Sequence, residues 1–263
     1  MQKNLHMCDF FRTFAGKKVM YLFYTPEIEG VDVVGQRFCL DEEESGHCVR
    51  VLRYTRGDEI LLTNGRGVTY EARITNPHPK HCEFEVLRAE RQTKNHRGYI
   101  HIALAPTKNV ERVEWFVEKC TEIGVDEITP LLCRFSERKQ LRLDRLEKIM
   151  LSAAKQSLTP YLPKLNELTP IEAVTGDGLR VTGDGVYKYI AHCYKEDKRE
   201  LKDELAKISD QDPYILVLIG PEGDFSPEEI EKALANGFVP VSLGKSRLRT
   251  ETAGVVACVI CNL

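Results

Sequence analysis

The stretch Tyr214-Ile-Leu-Val-Leu-Ile219 constrains the fold more than any other. It is apolar on both faces, so a strand formed here must be covered on both sides, as in the centre of a parallel sheet flanked by helices. Gly220-Pro-Glu-Gly-Asp-Phe225 follows at once, and Ser226-Pro-Glu-Glu229 then predicts a helix start: Ser caps, Pro takes the first helical position and Glu closes a capping box. Strand, glycine loop and helix in this order place the loop at the C-terminal edge of the sheet, where open α/β sheets bind ligands. The loop has no Gly-Lys-Ser/Thr, and Glu222 would repel a phosphate. It also lacks Gly-x-Gly-x-x-Gly, so neither a phosphate loop nor a dinucleotide fingerprint fits. What fits is close backbone approach to an uncharged or cationic ligand.

The pattern repeats downstream. After a predicted helix Pro227–Asn236 and a closing Gly237, a strand Val239–Leu243 ends in another glycine turn, Leu243-Gly-Lys-Ser-Arg-Leu-Arg-Thr-Glu-Thr-Ala253. Thr250 is expected to cap a final helix, 251–261, that is apolar almost all round and therefore buried. Arg247 and Arg249 before such a helix need partners or a ligand.

Upstream, from Tyr99, strands and helices alternate: a strand His101–Ala105, a helix with Val110, Val113, Val117 and Cys120 on one face and Gly124 at its end, a strand Glu127–Leu132, and a helix striped by Leu146, Ile149, Met150, Ala153 and Ala154. Residues 20–90 differ. They read as short strands (21–24, 37–40, 59–63, 68–74 and 83–87) around a helical stretch 42–52, with Asn64-Gly65 as a hairpin signal. Such spacing suits a small β-barrel. The polar, basic run 88–98 separates the halves, giving a β domain 20–90, a linker 91–98 and an α/β domain 99–263.

The 37 Lys and Arg against 40 Asp and Glu provide no global basic field, so nucleic-acid contact must be local, and DNA is not an expected partner. No apolar run approaches the roughly 20 residues of a membrane span, and no signal peptide opens the chain, so a cytoplasmic protein is expected. Nine scattered cysteines fit a reducing compartment. The close pair Cys258 and Cys261 has no second pair or histidines at ligand spacing, so core packing rather than a metal is expected.

Ile219-Gly-Pro-Glu-Gly-Asp-Phe-Ser226 together with Leu243-Gly-Lys-Ser-Arg-Leu-Arg-Thr-Glu-Thr-Ala253 resembles the paired C-terminal motifs of the ribosomal small-subunit RNA methyltransferase E family, within the SPOUT superfamily. The resemblance extends to Ala105-Pro-Thr-Lys108, Glu118–Val125, Pro130-Leu131, Gln156-Ser157, and to His47–Arg53 with Gly57-Asp58, nearly everything from Met20 to Ala257. It implies an N-terminal PUA-like barrel, a C-terminal α/β domain tied in a deep trefoil knot, a homodimer, and methylation of N3 of one uridine in 16S ribosomal RNA, free or within the 30S subunit, from S-adenosylmethionine. Asp224 stands where many relatives have a second glycine, and Leu158-Thr159 replaces an arginine-containing stretch, removing a possible RNA contact. Residues 1–19 precede the usual family start and are expected to be an extension without function.

By the same resemblance, Gly220, Gly223, Leu243, Gly244, Leu248, Thr250 and Ala253 would hold the cofactor, with Ile219 and Pro221 as its adenine wall. Uracil N3 carries a proton that must leave as the methyl arrives, so the site needs a base or a donor that stabilises the anion. Arg249 is the first candidate, because a guanidinium gives fixed donors and stays charged; a salt bridge to Glu251 or Glu222 is its alternative. Glu222 and Glu251 are secondary candidates for the base, and each could instead bond amides at its helix start. RNA contacts are expected at Arg91, Lys94, Arg97, Lys108, Arg112, Arg134 and Arg138, with His47 and Arg53 in the β half. A SPOUT enzyme of other specificity, such as a ribose 2′-hydroxyl or another base, and a non-catalytic RNA-binding assembly factor are the competing readings.

Overall fold

The computed structural model describes residues 21–176, 185–194 and 198–263. The extension 1–19 lies outside the described residues. The chain divides into two compact units, one running to Asn64 and resuming over Val68–Arg91, the other comprising Gly65–Gly67 and Gln92–Leu263.

The first unit is a five-stranded sheet in the order β1-β3-β4-β5-β2, built from β1 (Leu22–Tyr24), β2 (Arg37–Cys39), β3 (Glu59–Thr63), β4 (Val68–Asn76) and β5 (Glu83–Arg91). β1 pairs parallel to β3 and the other pairs are antiparallel. Alternation does the sorting in β4, where Val68, Tyr70, Ala72 and Ile74 turn into a core with Phe23, Leu62 and Phe84. The hairpin forms, with Thr63 opposite Thr69, but its connection is four residues rather than a tight two-residue turn. Asn64 is the cause: its side chain is buried and bonds the Ile28 carbonyl, the Tyr70 hydroxyl and the Val68 amide. The expected helix 42–52 also divides. Asp41 caps α1 (Glu42–Gly46), and His47–Val51 then widens into π-type bonding, Leu52 N to His47 O at 3.0 Å. β5 continues to Arg91, so Arg88 and Arg91 stand on a strand.

In the second unit every described strand pairing is parallel. Its strands are β6 (Tyr99–Leu104), β7 (Glu127–Leu132), β8 (Lys164–Leu165), β9 (Thr169–Pro170), β10 (Val186–Ala191), β11 (Arg199–Glu200), β12 (Tyr214–Ile219) and β13 (Val239–Ser242), ordered β11-β13-β10-β12-β6-β7-β8 with β9 also on β7. Helices α2 (Val110–Ile123), α3 (Leu143–Ser157), α4 (Ile171–Thr175), α5 (Leu201–Leu205), α6 (Pro227–Ala235) and α7 (Thr250–Asn262) complete it. β12 is covered on both faces: Ile215, Val217 and Ile219 enter one core with Phe116, Ala257 and Cys258, while Leu216 and Leu218 enter another with Phe225 and Ile230. Cys258 and Cys261 pack in the first of these cores.

Two expectations for the last helix need correction. It starts at Thr250, with Arg249 in the N-cap position and no side-chain cap, so Thr250 is a buried helical residue rather than the cap. It is also covered on one face only. Gly254 lies so close to β6 and α2 that a Cβ there would sit 2.5 Å from Phe116 and 2.6 Å from Leu104, whereas Val259 on the far side is 40% exposed.

Candidate functional site

Parallel strands deliver their C-terminal ends to one edge, and register brings the two glycine turns together there. Ala191, the last residue of β10, pairs with Ile219 on β12 and with Val241 on β13. The loops leaving β12 and β13 therefore flank the end of β10 at one level.

The loop after β12 is anchored. Ile219, Gly220 and Pro221 are buried, and Phe225 is fully buried beneath the turn. A Cβ on Gly220 would come within 3.1 Å of the Phe225 ring, and one on Gly223 within 3.1 Å of Phe135. The capping box forms as expected, with Ser226 Oγ accepting from Glu229 N and Glu229 Oε2 accepting from Ser226 N at 2.7 Å. Asp224, at φ 66, accepts from the amides of Phe225 and Cys193 at 2.8 and 2.7 Å. Burial, then the Asp224 carboxylate, raise the Cys193 thiol above its usual range.

The loop after β13 is open. Gly244, at φ 124, has nothing within 4 Å of a Cβ position, and Gly244 to Arg247 are exposed. Leu243, Leu248 and Ala253 are half-buried beside it. Its internal bonds are those between Ser242 and Gly244 and from the Ala253 amide to the Arg249 carbonyl.

Arg249 borders an open cavity of about 420 Å³ with Arg112, Trp115, Glu251, Thr252 and two residues at the start of α2. Its exposed side chain makes no hydrogen bond or ion pair among the described residues. Neither alternative salt bridge forms. Glu251 Oε1 lies 3.7 Å from Arg112 Nε, and Glu222 Oε1 accepts from the Lys108 amide at 3.0 Å. Glu251 is 7% exposed, and its Oε2 is buried without a hydrogen-bond partner. The two glutamates thus differ: Glu222 is exposed and already engaged, whereas Glu251, on the border of the cavity, holds a buried carboxylate oxygen without a hydrogen-bond partner, an expensive arrangement without a ligand.

The basic candidates separate as well. Lys94 is held by Asp126 at 2.5 Å over the rings of Tyr99 and Tyr161, and Arg97 donates to the Ile208 carbonyl, so both expected RNA contacts have internal duties. Arg112 faces the cavity through Glu251. Arg134 remains on the surface beside Glu228, and Lys108 is exposed beside Glu137. Arg138 braces the carbonyls of Thr107 and Lys108. In the first unit Arg91 and Arg53 are exposed, Arg53 at φ 57; the His47 ring packs at a tilt against Tyr21, centroids 4.5 Å apart, and leaves its buried Nε2 unbonded. Trp115 escaped the sequence reading because it lies off the apolar stripe of α2, on the exposed side of the helix, where no local pattern marks it. Tyr194, whose hydroxyl donates to the Phe225 carbonyl at 3.1 Å, escaped because nothing local marks it.

These features have counterparts in known proteins. The RNA methyltransferase domain matches residues 93–262, and the RNA methyltransferase PUA domain matches residues 40–87. Ribosomal RNA small subunit methyltransferase E of Synechocystis is 30% identical over 79% of this chain and 67% of its own length. The chain belongs to the ribosomal RNA small subunit methyltransferase E family. A probable rRNA-methyltransferase of Porphyromonas gingivalis, solved by crystallography, is 43% identical with a TM-score of 0.79, covering 91% of this chain and 95% of its own. The methyltransferase E of Neisseria gonorrhoeae, solved bound to S-adenosylmethionine, is 28% identical with a TM-score of 0.76 over the same shares. Family membership covers both units, and the glycine turns and the free arginine lie in the methyltransferase half. No helix among the described residues is long and apolar enough to cross a membrane.

Proposed function

We propose that this chain transfers a methyl group from S-adenosylmethionine to N3 of a uridine in the 16S RNA of the small ribosomal subunit, acting in the cytoplasm as a homodimer. The observation that carries the reading is the cavity at the start of α7, where an unpaired arginine adjoins a buried carboxylate oxygen without a partner.

The residues present fit the cofactor. A Cβ on Gly220 or Gly223 would press on Phe225 or Phe135 at 3.1 Å, and Gly244 opens on free space. Gly220, Gly223, Leu243, Gly244, Leu248, Thr250 and Ala253 would hold it, with Ile219 and Pro221 as the adenine wall. When bound, S-adenosylmethionine supplies an electrophilic methyl on a sulfonium. The protein's part is alignment and charge. Arg249 donates to a uracil carbonyl oxygen and stabilises the anion that forms as the N3–H bond breaks. Glu251 Oε2 takes that proton, a role its unsatisfied state suits and the engaged Glu222 does not.

Exposed Trp115 on α2 and Val259 on the adjoining α7 support a homodimer through this face. The knot and the closed barrel belong to the same reading; β10 lying between β12 and β13, and the last helix packing on β6 and α2, support the first. Lys108, Arg134 and Arg138, with Arg53, Arg91 and His47, are the RNA contacts.

Methyl transfer into small subunits lacking the modification tests the roles. R249A is expected to fall about 100-fold or more in rate with cofactor affinity unchanged. E251Q is expected to fall comparably, and E222Q to stay within about threefold. Wild-type rates in R249A and E251Q would refute the assignment.

A further inference from the structure

Asp224 breaks a local rule. Its backbone lies at φ 66, which glycine adopts freely and few residues with a side chain do, and both oxygens of its carboxylate accept hydrogen bonds nearby. Oδ1 accepts from the Phe225 amide at 2.8 Å, and Oδ2 accepts from the Cys193 amide at 2.7 Å. The Asp224 amide donates to the Pro221 carbonyl at 2.9 Å, closing the turn over Glu222 and Gly223. Tyr194 adds its hydroxyl to the Phe225 carbonyl at 3.1 Å. Cys193 and Tyr194 follow β10, whose end pairs with the strands on both sides. One carboxylate therefore joins the turn after β12 to the segment that separates the two glycine loops.

We propose that Asp224 is a positioning residue for the cofactor, clamping the Gly220–Gly223 turn to the end of β10 so that its backbone surface is set before the cofactor arrives. The proposal rests on the reading that this turn holds S-adenosylmethionine. The clamp needs two acceptor oxygens aimed at two amides, and only a carboxylate of this length supplies both. Asparagine has the same shape but presents an NH₂ to one of those amides, so it keeps one bond and sets two donors against each other. Glycine would relax the backbone and hold neither amide. A pre-set surface lowers the cost of ordering on binding, so the effect falls on cofactor affinity rather than on chemistry.

The test is calorimetric titration of S-adenosylmethionine into full-length wild type, D224G and D224N, with hydrogen exchange at the Phe225 and Cys193 amides and with methyl-transfer kinetics. D224G, which loses both amide bonds, is expected to weaken cofactor binding about tenfold or more, with kcat at saturating cofactor and KM for RNA within about twofold. D224N is expected to lie between, with faster exchange at one amide and continued protection at the other. In D224G both amides should exchange faster without cofactor present, while the melting temperature stays within about 2 °C because the strained φ is relieved. Equal affinity in wild type and D224G would overturn the clamp alone. A large drop in melting temperature with a raised KM for RNA would overturn it in favour of general structural support. A wild type that binds no S-adenosylmethionine, with amide protection intact, would overturn the cofactor reading and this proposal with it.

Discussion

The two glycine loops leave neighbouring positions on one sheet edge, yet they are built in opposite ways. The loop after β12 is closed upon itself: Phe225 fills the space below it, Ser226 and Glu229 cap the helix that follows, and Asp224 ties it sideways. The loop after β13 exposes Gly244 to Arg247, and its helix begins at Thr250, with Arg249 in the N-cap position and no side-chain cap. The helix itself is fixed from behind, by Gly254 against Phe116 and Leu104. One loop is thus a surface fixed by its own contacts, and the other leaves Gly244 to Arg247 and the Arg249 side chain exposed. Division of labour of this kind suits a transfer reaction, where one reactant needs a rigid seat and the other arrives on a large RNA.

Removing the filler should break the contrast most strongly. Phe225→Ala is expected to cost about 3–5 kcal/mol in urea unfolding, because a fully buried aromatic side chain is lost from the core shared with Leu216 and Ile230. The sheet beneath the closed loop makes a second prediction. His101 is buried between the Tyr214 and Thr129 hydroxyls, each at 2.7 Å, and burial lowers its pKa from 6.5 to about 4. The folded state therefore holds this ring neutral while the unfolded chain protonates, so stability falls as pH drops from about 6.5 to about 4, by about 3 kcal/mol. His101→Gln should flatten that part of the stability–pH curve. The smallest effects compare the loops directly. Ser226→Ala should cost about 1 kcal/mol through the lost cap, and Lys245→Ala in the open loop should stay within about 0.5 kcal/mol.

What was legible in the sequence was local. The run Tyr214–Ile219, the capping box at Ser226 and the terminating Gly124 each carry their own physical signal, and each forms as expected. Misreadings arose where tertiary contacts overrode local propensity. Asn64-Gly65 promised a tight turn, but the buried Asn64 side chain widened it. Lys94 and Arg97 stand in a polar, basic run and were expected to contact RNA, yet Asp126 and Ile208, distant in sequence, engage them. The site divides likewise. Both glycine turns were legible from their own residues as turns that end strands, whereas the proposed preference for Glu251 over Glu222 depends on burial and on the Lys108 amide, which no local pattern encodes.

Product identity tests the central claim most directly. Small subunits lacking the modification are incubated with the protein and labelled S-adenosylmethionine, and the RNA is digested to nucleosides for mass spectrometry. N3-methyluridine at one position, made by wild type and lost in R249A, is the predicted result. A ribose-methylated nucleoside, a different methylated base, or no transfer despite bound cofactor would contradict it.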